Sequence, residues 1–201
     1  MPRQPFSPAG SRLRQAFPPR PGARRFFDET DLLADLRPSI PASLRILEIT
    51  DAQDRPLMLM QPDAAMRQKL YRRMVCVALY GKGRLYVHKS AGQSADEPGR
   101  WDFCSGQVLA GEAREDAARR LILARTGLAD PALTEILRRT ADSGLPAHLV
   151  VFAARLPRGV LPDSRESMAV DADELEGLVA HSPEMFTPAL IWAAGTGRLF
   201  S

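Results

Sequence analysis

Cysteine is scarce in this chain. Cys76 and Cys104 are the whole supply. Neither sits in a C-x-x-C pair or near a histidine at ligand spacing, which argues against a structural zinc module. No disulfide framework is suggested either, and that fits a reducing cytoplasm. Long apolar runs are also missing. The longest, such as HLVVFAA, have strand length, against the roughly 18 residues of a membrane span, and no secretory apolar core is visible near the start. Lysine is nearly absent: Lys69, Lys82 and Lys89 are three of 27 basic residues. Aromatics make up 6%. The basic residues form no stripe interleaved with aromatics, so nucleic-acid binding is not expected. A net charge of +3 and a pI near 9.2 imply a general attraction for anions.

What is present suits one globular domain with a tail. The 201 residues, 45% hydrophobic and 25% charged, can bury a proper core. Residues 1–40 read as a Pro- and Arg-rich arm whose first 25 residues contain no acid. Proline fixes φ and removes donors there. A short helix is expected over DETDLLADL, capped by Asp28 or Thr30 and stopped by Pro38. The domain is expected over 41–201.

Within it, LRILEIT and LMLMQ read as strands around the turn DAQDRP. A helix over DAAMRQKL follows Pro62. RRMVCVALY is a near-continuous apolar run and reads as a buried central strand. GKG turns the chain into RLYVHKS, and WDFCS is short and extended. A helix from Ala113 to Thr126 stops at Gly127. Its apolar face carries Ala113, Ala117, Leu121 and Ala124, with Ala118 and Ile122 beside them. Strands over LTEILRRTAD and AHLVVFAARL follow, then helices over DADELEGLVAH and TPALIWAAG. Strands around a helix, with helices at the end, predict an α+β, α/β/α layered domain with a mixed sheet.

The stretch Gly106–Leu128, GQVLAGEAREDAARRLILARTGL, resembles the Nudix box, G-x5-E-x7-R-E-U-x-E-E-x-G-U, where U is aliphatic. Gly106, Glu112, Arg120, Ile122, Gly127 and Leu128 match without a gap. RWDFCSGQVLAGE, ITDAQDRPLMLM, RRMVCVALYGKGRLYVHKSA and SPEMFTP are similar to the Nudix group around isopentenyl-diphosphate isomerase. The resemblance covers Leu44 to Phe200. It implies the Nudix fold, and pairing of Glu112 with Arg120 to lock loop to helix. It also implies metal-binding glutamates at three positions that here are Leu121, Ala124 and Arg125. The box is degenerate by that measure. A divalent ion bridging a diphosphate needs several hard oxygen ligands. Leu and Ala offer none, and Arg125 brings a positive charge.

Several outcomes stay open at this stage. The domain could have lost ordinary pyrophosphohydrolase activity and act by binding a diphosphate-containing small molecule or a protein, without a metal cofactor. Arg125, with Arg100 or Arg119, could then grip phosphate directly, since guanidinium forks suit phosphate oxygens; a solvated basic helix face is the plainer alternative. It could instead be a working hydrolase using Mg²⁺ or Mn²⁺ on relocated ligands, Glu112, Glu115, Asp116 and the late acid Glu166. It could also be a structural partner module, and a homodimer is left open. Isomerase activity is not expected. The isomerase cysteine directly precedes a Gly-His pair, whereas Cys104 stands one position early and Gln107 replaces the histidine. Gln cannot do acid–base work. His88, His148 and His181 are scattered, without partners at ligand spacing.

Overall fold

The computed structural model describes residues 45–90, 99–142, 144–160 and 166–200. The basic arm, its expected helix at 28–36 and most of the loop after Ser90 lie outside them. Nine strands form one mixed sheet: β1 (Leu47–Thr50), β2 (Pro56–Met60), β3 (Arg72–Gly81), β4 (Arg84–Lys89), β5 (Trp101–Asp102), β6 (Cys104–Gln107), β7 (Leu133–Arg139), β8 (Ala147–Arg155) and β9 (Ser167–Val170). Among the described residues four α-helices accompany them, α1 (Pro62–Arg67), α2 (Arg114–Thr126), α3 (Ala172–His181) and α4 (Pro188–Ala194), with a short 3-10 turn at Pro183–Met185. The expected layering of helices on both faces of a mixed sheet is the one found.

The apolar run at β3 is the hub. Its left edge carries β8 in parallel along its whole length, from Arg72↔Ala147 to Tyr80↔Arg155. Its other edge is shared by three short antiparallel strands in succession: β1 at Arg72, β6 at Met74–Val77, and β4 at Leu79–Gly81. With neighbours on both edges and helices over both faces, every residue from Met74 to Leu79 is buried, which is why the run lacks alternation. On one face α2 covers Val75, Val77, Val150 and Phe152. On the other, α3 and α4 cover Cys76, Ala78, Leu149 and Val151. Ala65 of α1 closes a third, smaller core over Leu47 and Ile49.

Local chemistry sets the ends. The β1–β2 turn is tied by Asp51, whose Oδ1 accepts from the amides of Gln53 and Arg55 at 2.9 Å each. Asp54 takes the left-handed conformation there, φ 65°, which aspartate tolerates better than most residues. Helix α3 opens on a capping box: Asp171 accepts from the Glu174 amide at 2.9 Å, and Glu174 accepts from the Asp171 amide at 3.0 Å. Thr187 caps α4, with Pro188 in its first turn.

Two expectations need correction, and two further details were not visible in the sequence. WDFCS is extended as expected, and it is shared between two strands. It pairs with β4 at Trp101–Asp102, bends at Phe103, and crosses to β3 from Cys104. Ser167–Val170, for which the sequence suggests no element, is a strand on the outer edge of β4; too short for its own periodicity to signal, it is made by that edge. The first helix ends at Arg67, because Lys69 turns left-handed at φ 51°. The buried face of α2 is rotated from the expected one. Ala117, Ala118 and Ile122 are buried and Leu121 half-buried, while Ala113 and Ala124 are exposed. That rotation turns Arg125 inward.

Candidate functional site

The bend at Phe103 makes the site. Strands β3 and β4 begin as a hairpin, paired at Gly81↔Arg84, then part company. The β5–β6 segment bridges the opening, with Asp102 opposite His88 on one side and Cys104 opposite Val77 on the other. Helix α2 lies across this bridge. His88, Asp102 and Cys104 are therefore buried together at the crossing, beside the second half of α2.

The loop before α2 is locked by one arginine. Arg120 donates from Nε to Glu112 Oε1 and from a terminal nitrogen to Oε2, both at 2.7 Å, and also to the Gln107 carbonyl at 3.0 Å. Glu112 Oε2 accepts in addition from the Leu109 amide at 2.9 Å. A two-pronged pair of this kind fixes orientation as well as distance. Both carboxylate oxygens are thus engaged in holding the loop. At the other end Gly127, at φ 76°, closes the helix by donating to the Leu123 carbonyl at 2.9 Å. Between them Leu121 presses on Gly106: a Cβ at that glycine would lie 2.6 Å from Leu121 Cδ2.

Arg125 lies partly buried over this crossing. Its side chain is 26% exposed, and its terminal nitrogen lies 3.8 Å from Glu166 Oε2. Its guanidinium also sits beside the Cys104 sulfur and near His88. Burial pushes the Cys104 thiol up to about 12, Arg125 opposing that rise, so the sulfur is protonated and unreactive at neutral pH. The thiol also lies 3.4 Å from the Leu121 carbonyl. His88 is buried, and burial together with the Arg125 charge depresses its pKa to about 4. Neither His88 ring nitrogen has a hydrogen-bond partner among the described residues. A buried imidazole left so costs roughly 1–3 kcal/mol. Asp102, by contrast, is well served. It accepts from Thr187 Oγ1 at 2.7 Å and from Ser105 Oγ, while burial raises its pKa.

The remaining sequence candidates go elsewhere. Arg119 pairs with Asp116 at 3.1 Å and Asp130 at 3.5 Å. It lies six residues before Arg125, about 9 Å along the helix axis. Glu115 lines a separate cavity with Arg119, Asp130 and Glu135. Glu112 is held by Arg120, and Glu166, 60% exposed, meets Arg125. The four carboxylates of the relocated-ligand reading are not brought together, and among the described residues no group of three or more His, Cys, Asp or Glu is placed to hold a metal ion. The Arg100 carbonyl accepts from the Ser90 amide at 2.7 Å, just past the end of β4.

Sequence reasoning passed over His88 and Asp102. The alternation of RLYVHKS did place His88 on the face of Tyr86, which packs toward α2. Only the crossing of β5–β6 brings Asp102 opposite it. Both cysteines are buried and free. Among the described residues no helix is long and apolar enough to cross a membrane.

Comparison with known proteins gives a consistent picture. The family model for the NUDIX domain matches residues 70–197. No curated protein matches the chain. Among solved structures, DR0079 from Deinococcus radiodurans superposes with a TM-score of 0.63 at 17% identity, covering 75% of this chain and 98% of that one. The E. coli dihydroneopterin triphosphate pyrophosphohydrolase (TM-score 0.45, 16% identity, 65% and 99% covered) and a MutT studied from Aliivibrio salmonicida and Vibrio cholerae (0.43, 18%, 61% and 98%) are looser likenesses. At these identities the likeness is one of fold.

Proposed function

The chain belongs to the Nudix family, and on that premise we propose that it works by binding rather than by metal-dependent hydrolysis. Its ligand is a diphosphate-containing small molecule, held at the partly exposed guanidinium of Arg125 on the second half of α2. The position of Arg125 carries this reading. Its guanidinium stands among Cys104, His88 and Glu166, at a box position where the family resemblance calls for a metal-binding glutamate. The metal does not fit these residues. Leu121 is packed on Gly106, Ala124 is exposed, and neither bears an oxygen ligand. A cation about 4 Å from a guanidinium is repelled by about 4 kcal/mol per unit charge at an effective dielectric near 20. The same fixed cation suits a phosphate oxygen, which a guanidinium binds through two parallel N–H donors.

Likeness to the group around isopentenyl-diphosphate isomerase agrees with a diphosphate ligand. Isomerisation is not part of the proposal, because Gln107 and the buried, protonated Cys104 supply no acid–base pair. Two free thiols suit a reducing cytoplasm.

Calorimetric titration tests this. Mn²⁺ alone should give no saturable heat. ADP-ribose should bind with the same affinity with and without Mn²⁺, and Arg125→Ala should weaken it at least about tenfold, the effect of losing one charge-assisted contact. Mg²⁺- or Mn²⁺-dependent phosphate release above a metal-free control would overturn the proposal in favour of a working hydrolase.

A further inference from the structure

Strand β2 is a bare edge. Among the described residues it pairs with β1 and with no other strand. Leu57, Met58 and Leu59 are 60%, 53% and 64% exposed, more than any other large apolar side chain described. The strand alternates, so this apolar surface has two faces. Met58 and Met60 lie opposite Ile49 and Leu47, on the face that carries the small core with Ala65. Leu59 lies opposite Glu48 on the other face, where Glu48 is engaged by Arg73. A sheet with one face on the core and one in water needs apolar residues on the first face only. The core of one copy therefore does not explain Leu59.

The backbone is open as well. Asp51 donates its amide toward β2, to the Arg55 carbonyl at 3.0 Å, and Thr50 donates toward β3, to the Tyr71 carbonyl at 2.9 Å. By that alternation Leu47 and Ile49 turn their peptide groups to Met60 and Met58, and the N–H and C=O of Leu59 point out from the sheet. Edge strands are commonly guarded by a lysine, an inward-pointing charge, a bulge or a proline. Here Pro56 and the register irregularity beside it guard only the start of the strand.

We infer that β2 pairs with β2 of a second copy of this chain, antiparallel and about a two-fold axis, joining two sheets edge to edge. The run PLMLMQP carries no charge, and it is flanked by Arg55 on one side and Asp63 on the other. An antiparallel pair sets Leu and Met against Leu and Met. It also brings Arg55 of each copy to the end where the other carries Asp63, and both residues are exposed. Such a strip is complementary to itself, as a two-fold interface requires. At about 100 Å² for each exposed side chain, the area falls short of the roughly 1,200 Å² at which stable interfaces begin, so the dimer is a weak one.

Sedimentation equilibrium of the full chain, from low micromolar to submillimolar concentration, tests this. A reversible monomer–dimer equilibrium is expected. Leu59→Lys sets like charges on the two strands and should weaken it at least about tenfold. Asp63→Lys should weaken it too, and that loss should shrink at high salt. Met185→Lys changes an exposed apolar residue outside β2 and should leave it unaltered. The Leu59 amide should gain protection from hydrogen exchange as concentration rises. Leu59 is exposed, and melting temperatures taken where the parent is monomeric guard against loss of fold. A monomer at every concentration would overturn the assignment, whether the edge stays bare or another segment of the chain takes it. So would a dimer that Leu59→Lys leaves intact, or one that Met185→Lys weakens equally.

Discussion

His88 makes the stability of this protein depend on pH in a predictable direction. Its pKa is about 4 in the folded chain, against 6.5 for a free side chain. Between those two values the unfolded chain binds a proton that the native state refuses. Stability is therefore full above pH 6.5 and falls as pH drops through that window. The slope approaches 1.36 kcal/mol per pH unit, so the loss is roughly 2 kcal/mol by about pH 5 and about 3 by pH 4. No discount for solvent is needed, because the ring is fully buried. Asp102 acts in the opposite sense. Its raised pKa lets the native state gain a proton first as pH falls, so a simple pH profile mixes the two. The variant His88→Leu removes only the imidazole. Urea denaturation of both proteins at about pH 7.5 and pH 5 isolates its share. The stability of His88→Leu relative to the parent should rise by about 2 kcal/mol on going to the lower pH. Parallel profiles for the two proteins would refute the claim that His88 is held neutral by burial beside Arg125.

Two further expectations concern the box itself. Gly106→Ala sets a methyl against Leu121 and should cost about 1–3 kcal/mol by overpacking. Because the obstacle is a side-chain end, Leu121→Ala in the same chain should recover most of that loss. A double-mutant cycle measures the coupling, and additive losses would show that the two residues do not meet. Glu112→Gln leaves Arg120 with a neutral partner in a half-buried pair and should cost about 1–3 kcal/mol; an unchanged urea midpoint would mean the loop is held by something else.

Much of the fold was legible because local signals agreed with it. The run MVCVAL could only be a strand buried on both faces, Gly127 could only close the helix before it, and Thr187-Pro188 opened the last one. The match of Gly106–Leu128 to the Nudix box marked the loop–helix unit, and that resemblance implied the Glu112–Arg120 pair. The face of α2 was not legible. Small alanines recur at Ala113, Ala117 and Ala124 at helical spacing, but helical spacing alone does not say which stripe meets the sheet. The bulk of Val75, Val77 and Phe152 beneath the helix decided for Ala118 and Ile122. The strand at Ser167–Val170 was hidden for a related reason, since four residues show no period and only the free edge of β4 orders them.

The sequence by itself determined which side chains could not be metal ligands. That is a matter of chemical identity, and no packing changes Leu121, Ala124 or Arg125 into an oxygen donor. Where those side chains point, and what stands beside them, was decided by the tertiary structure. The crossing of β5–β6 from β4 to β3 sets Asp102 against His88, the rotation of α2 lowers Arg125 over Cys104, and the β1–β2 turn carries Asp54 to Arg114. Such juxtapositions join residues 14 to 60 positions apart, and their energies depend on burial and distance, which exist only once the chain has closed on itself.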